Sequence, residues 1–283
     1  MSVCFSMAGK IGDALHQYPI AYWWARENGK QITLWLDQGM LKPLVPLFEA
    51  QPCVEAVELK PGITTYHLGG QPWDFGLKTE DYQGKTVYHL GFRQFPQTQI
   101  TRDIMTQVPQ VRINATVKEI AATPSFVIPD KLPSANRLIL HGTFTAPNGG
   151  SPGFWRFLAH VRSDLETLFD EIVFTGTPAE RARALEVYPE YRDFDDEGNF
   201  LNLARYMAAS RCVIGSGSSG IALAGQLKVP SIRVHDPIGD APKVIWSNLQ
   251  EAHLNDTERL LRPEWPKFRD KYLLTSAETS IAS

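Results

Sequence analysis

Short apolar runs alternate along this chain with longer amphipathic stretches, and the alternation predicts strands and helices in turn. Val3-Cys-Phe-Ser-Met is the first run. A helical stretch follows over about 14–28, then Ile32-Thr-Leu-Trp-Leu, a second helical stretch over about 40–50, and Val54-Glu-Ala-Val-Glu-Leu. Strand, helix, strand, helix, strand in this order is the signature of a parallel sheet with crossover helices. Residues 61–100 are rich in Gly, Pro and aromatics, with one further strand predicted at Val87-Tyr-His-Leu-Gly-Phe, and 101–120 reads as helical in part. Proline then studs the stretch from Thr123 to Pro133, which reads as a connector between domains.

The alternation starts afresh at Arg137-Leu-Ile-Leu-His-Gly-Thr. A helix is predicted over 154–169, a strand from Glu171, a short helix over about 178–186 and another helix over 199–210. The apolar run Cys212 to Ile214 breaks at Gly215, and Ile221, Leu223, Ala224 and Leu227 then recur at helical spacing. Ser231-Ile-Arg-Val resumes an extended pattern that ends at His235-Asp-Pro, and a terminal helix is predicted over Lys267 to Leu274. Two such sets in one chain predict an α/β protein built from two Rossmann-like, doubly wound domains. The expected division is 1–130, 131–255 and a helical tail over 256–283.

Two strand-to-helix turns carry the candidate chemistry. Ser216, Gly217, Ser218, Ser219 and Gly220 lie where a helix begins. Free backbone N–H groups and the positive end of the helix dipole converge there, serine hydroxyls add donors, and absent side chains let a ligand approach the backbone. Such a turn suits an anion, most often phosphate, and it equally suits a serine-capped helix with no ligand. Asp13 sits in the corresponding turn after the first strand, as a helix cap or as a working base. His16 lies one turn further on and Lys10 just before, both candidates for substrate contact and both ordinary surface residues otherwise.

The residues around these turns resemble a known family. Gly9-x-Ile11-Gly12-Asp13-x-Leu15-His16-x-x-Pro19 is similar to the opening motif of the lipopolysaccharide heptosyltransferases. Leu203-Ala-x-x-Met-Ala-Ala-Ser-Arg-Cys-Val-Ile-Gly, followed by Ser216-Gly-Ser-Ser-Gly, resembles that family's donor-site segment. The resemblance implies the glycosyltransferase B fold, two Rossmann-like domains facing across a cleft, with a tail that often crosses back to the first domain. It implies Asp13 as the catalytic base, with Lys10, Gly12 and His16 on the acceptor side. It implies the 216–220 turn as the holder of the donor diphosphate, and a nucleotide-diphosphate sugar as substrate with no metal or other cofactor. The loop after the first strand of the second domain binds phosphate in that family through hydroxyls and a lysine. Here Thr143 and Thr145 supply hydroxyls, no lysine follows, and Arg156 is the candidate substitute. Gly176, in Thr175-Gly-Thr-Pro, is expected to border the nucleotide base or ribose, or to serve plain turn chemistry. Two departures stand out: Gly217 replaces the family's Asp and Ala222 its His. They imply a different donor, a different acceptor or lost activity.

Composition narrows the partners. With 283 residues, 43% of them hydrophobic and 21% charged, the chain can bury two cores. A net charge of −3 offers no global attraction to DNA or an anionic membrane. A nucleic-acid acceptor, as in phage-type DNA-modifying glycosyltransferases, is therefore not favoured. No window nears the length of a membrane span, and Asp13 and His16 break any signal-peptide layout. Cys4, Cys53 and Cys212 sit in or beside apolar runs without metal-ligand spacing, as in a reducing compartment, so a cytoplasmic location is expected. No Asp-x-Asp metal motif, nucleophile elbow, His-Glu-x-x-His or Walker lysine occurs in a suitable setting. The reading is a metal-independent, inverting glycosyltransferase acting on a glycan or other hydroxyl acceptor. The alternatives are a nucleotide-sugar epimerase or hydrolase, a DNA-modifying transferase, and a nucleotide-binding module without catalysis.

Overall fold

The structure is a computed structural model. It describes residues 3–7, 9–61, 78–82, 85–90, 113–116, 119, 123–142, 152–216, 219–234, 253–254 and 265–274. Most of the expected partial helix over 101–120 lies outside them. Two compact units make up the chain. The first takes residues 1–132 with 196–208 and 226–228, and the second takes 133–195, 209–225 and 229–283.

The first unit is built on β1 (Val3–Met7), α1 (Ile11–Asn28), β2 (Ile32–Asp37), a 3₁₀ turn (Lys42–Leu44) leading into α2 (Val45–Glu49), β3 (Val54–Lys60), β4 (Lys78–Tyr82) and β5 (Lys85–Leu90). The strands run in the order β3-β2-β1-β5-β4. β1 is parallel to both β2 and β5, and β4 closes the edge as an antiparallel partner of β5. All five residues of β1 are buried, as expected of a central parallel strand covered on both faces. Lys-Thr-Glu-Asp-Tyr of β4 shows no apolar run, so the sequence pattern does not announce it. Aromatics fill the core: Phe5 meets Trp24 edge-on at 5.5 Å, and Tyr18 stacks on Phe126 at 4.6 Å. Phe126 belongs to the proline-studded connector, which thereby packs as part of this core.

The second unit contains β6 (Ala135–His141), α3 (Pro152–Leu168), β7 (Glu171–Phe174), α4 (Pro178–Val187), β8 (Arg192–Asp193), β9 (Ser210–Gly215), α6 (Ser219–Leu227), β10 (Ser231–Val234), β11 (His253–Leu254) and α7 (Trp265–Phe268). Helix α5 (Phe200–Ala208) falls with the first unit, where Arg205 donates to the Pro129 carbonyl at 3.2 Å and pairs with Asp130. The sheet order β11-β10-β9-β6-β7-β8 is parallel throughout. Counted from β6, that is the doubly wound order 3-2-1-4-5-6. Its core joins Leu138, Phe154, Phe157, Phe174 and Ile214 to Trp265 and Leu273. The described part of the tail, 265–274, thus packs within the second unit, and Trp265 Nε1 donates to Asp164 at 2.7 Å. Among the described residues no helix is long and apolar enough to cross a membrane.

Candidate active site

Open α/β sheets bind ligands at the carboxyl ends of the strands, where the strand order reverses. In the first unit the reversal lies between β1 and β5, and the chain leaving β1 passes through Gly9 and Lys10 into α1. Helix α1 begins at Ile11, three residues earlier than the apolar spacing predicts. Lys10 is therefore the capping residue, and Asp13 is the third helical residue, accepting the Lys10 backbone N–H at 2.8 Å. Gly9 holds φ +90°, a conformation that side chains disfavour. A Cβ at this position would also lie 2.7 Å from Asp13 Oδ2. The glycine thus makes room for the carboxyl group. Burial pushes the Asp13 carboxyl up to about 6, against the opposing pull of the Lys10 N–H and charge. A carboxylate poised there can take a proton at neutral pH.

In the second unit the reversal lies between β6 and β9, whose ends His141 and Gly215 are register partners. The Ser216 amide donates to the His141 carbonyl at 3.3 Å, and His141 Nδ1 lies 2.8 Å from Thr175 Oγ1 at the end of β7. A Cβ on Gly220 would lie 2.3 Å from His141 Cγ, so the first turn of α6 rests directly on the imidazole. Burial holds this ring neutral, taking its pKa down to about 4 although Glu180 pulls it upward. Thr177 caps α4, and its hydroxyl and backbone both meet Glu180 in a capping box.

The structure sorts the sequence candidates by setting. Lys10 is exposed, Gly12 and Asp13 are half-buried, and His16 is buried at 5% exposure, inside rather than on a rim. Ser216 is buried at 1% and Gly220 is buried against His141, so both are internal to the turn. Ser219 is half-buried as the first residue of α6. Gly176 holds φ +141° immediately before the capped start of α4. Thr143, Thr145, Gly217, Ser218, His235, Asp236 and the Arg156 side chain lie outside the described residues. Ala222 is 2% exposed, so its methyl group faces the core. Asp195 pairs with Arg181 at 2.9 Å. Among the described residues no group of three or more His, Cys, Asp or Glu could hold a metal ion. Gly9 stands in the first motif and His141 at the head of the loop after β6, but the sequence does not show what either one packs against. A backbone sign and a ring against a glycine leave no mark in residue spacing.

No family model matches the sequence, and no curated protein does. Solved structures match it nearly end to end. E. coli heptosyltransferase WaaC with ADP-2-deoxy-2-fluoro heptose aligns at 14% identity over 96% of this chain and 99% of its own, with a TM-score of 0.54. E. coli ADP-heptose lipopolysaccharide heptosyltransferase II aligns at 11% identity over 98% of this chain and 100% of its own, with a TM-score of 0.55. The fold is that of the heptosyltransferases. The α/β glycosyltransferase B fold that the two motifs imply is thus the fold of this chain, with a Rossmann-like sheet in each of the two units among the described residues.

Proposed function

We propose that this chain is a cytoplasmic, heptosyltransferase-like glycosyltransferase that moves a sugar from a nucleotide-diphosphate donor to a glycan or other hydroxyl acceptor. The observation that carries the reading is Asp13, a half-buried carboxyl near pKa 6 in the first turn of the helix that follows the central strand of its sheet. It is supported by likeness in fold to enzymes solved with ADP and with an ADP-sugar analogue. In the proposed step the acceptor hydroxyl gives its proton to Asp13 as its oxygen attacks the anomeric carbon. The bond from that carbon to the diphosphate oxygen breaks from the opposite side, which inverts the configuration. Charge gathers on the leaving diphosphate, and the N–H groups and serine hydroxyls at the start of α6 stabilise it without a metal. Lys10 and Gly12 serve the acceptor side, His16 being buried within the unit. Thr143, Thr145, Gly176 and the 217–219 part of the turn serve the donor, Ser216 and Gly220 being internal to it.

A nucleotide-binding module without transfer is the second reading, favoured by Gly217 and by the buried Ala222. The test is a thermal-shift and calorimetric panel of nucleoside diphosphates and their sugars, run in excess chelator. A ligand bound only to the native state adds roughly 2.7 kcal/mol at a hundred times its Kd. The proposal expects at least one nucleotide to stabilise the protein in chelator. Stabilisation that appears only with added divalent metal contradicts the metal-free step. No stabilisation by any nucleotide contradicts the whole reading.

A further inference from the structure

His141 heads the loop that carries Thr143 and Thr145 but has no role in the proposed transfer step, yet several parts of the second unit meet on it. It ends β6, at the point where the strand order reverses. Its Nδ1 is bound to the Thr175 hydroxyl at 2.8 Å, and its carbonyl accepts the Ser216 amide. The carbonyl oxygen would lie 2.7 Å from a Cβ on Gly215, and the ring 2.3–2.7 Å from one on Gly220. Only 7% of the residue is exposed. Gly220 is therefore fitted to the histidine ring, and Gly215 to the backbone carbonyl of the same residue.

We propose that His141 is a positioning residue. Its ring, anchored by Thr175, sets the height of the first turn of α6 above the sheet and so fixes the turn that receives the donor diphosphate. The inference rests on the reading above that this turn binds a diphosphate. The physical reason is that helix N–H donors serve an anion only when held within a few tenths of an ångström of hydrogen-bonding distance from it. A flat, neutral ring under a glycine gives that rigid support without placing a positive charge beneath the positive end of the helix. A larger residue at 220 would lift the helix or push out the ring. A smaller one at 141 would let the helix settle.

The test is calorimetry on the full chain in chelator, with ADP and inorganic pyrophosphate as probes. It compares the wild type with His141→Ala, His141→Asn, Gly220→Ala and the double variant His141→Ala with Gly220→Ala. Kd is read well below each melting temperature, so lost stability alone does not move it. His141→Ala and Gly220→Ala are each expected to weaken binding of both probes about tenfold or more. His141→Asn, which can still reach Thr175, should recover much of the loss. The double variant should bind better than the product of the single effects, because the added methyl occupies space that the ring has left. Thr175→Val supplies a milder probe should His141→Ala fail to fold, and is expected to weaken binding in the same direction. Wild-type affinity in folded variants overturns the inference and leaves the diphosphate turn standing. A wild type that binds neither probe overturns the reading of the turn itself, and the inference with it.

Discussion

Asp13 owes its character to three neighbours that spacing alone does not reveal. Its carboxylate accepts the Lys10 N–H, it fills the space that Gly9 leaves, and burial raises its pKa from 3.8 to about 6. Cap and base were alternatives in the sequence; Lys10 is the capping residue, Asp13 returns the reciprocal contact of a capping box, and burial raises its pKa. The raised value sets a sign. The folded state holds the proton more tightly than the unfolded one, so Asp13 favours folding below pH 3.8, and that contribution is lost as pH rises through 6. Asp13→Asn cannot ionise and can still accept the Lys10 N–H. The variant should therefore be more stable than the wild type at pH 8, by as much as about 3 kcal/mol. The gap should close as pH falls from 6 to below 4. Denaturant unfolding at a series of pH values checks this, and a gap that does not change with pH would show that the carboxyl is not held up by burial.

Elements with a buried, two-sided setting were the legible ones. β1, β2 and β9 are short apolar runs because helices or loops cover both faces, and the sequence pattern finds them within a residue or two. β4, β8 and β11 escape it, since edge strands of two to five residues need no apolar run. The end of α6 offers a test at this scale. Lys228 follows the helix with φ +61°, and the Val229 amide returns to the Ala224 carbonyl at 3.0 Å, a closure that favours glycine. Burial also lowers the Lys228 ammonium to about 8. Lys228→Gly is expected to stabilise the chain at pH 7 by roughly 1 kcal/mol from relief of backbone strain alone. Removal of the poorly solvated charge should add to this. A lysine with a depressed folded pKa regains its lost stability as pH rises from 8 towards 10.5, so the advantage of the variant should narrow over that window. An equal or lower melting temperature for Lys228→Gly at pH 7 would refute the strain argument.

At the scale of the whole molecule, the two-sheet organisation was readable from alternation, and its assignment to the heptosyltransferase fold from two short motifs. The first unit's main segment ends at 132, close to the expected 130, but its two later segments were not readable. Helix α5 and residues 226–228 join the first unit across a long stretch of sequence, through contacts such as the Ser125 amide to the Gln226 carbonyl at 3.1 Å. Pairings of this kind follow from tertiary packing and leave no periodic trace. Fold likeness by itself does not carry activity, so the central claim rests on one carboxylate acting on an acceptor while a separate turn holds the donor. The most direct measurement is turnover of wild type and Asp13→Asn at saturating donor, beside donor affinity by calorimetry, on a donor and acceptor pair that supports transfer. The proposal expects donor Kd to be nearly unchanged and turnover to fall by about 10²–10⁴-fold, with wild-type kcat/KM rising through a pKa near 6 and then levelling. Near-normal turnover in the Asn variant would reduce Asp13 to a helix cap and contradict the mechanism.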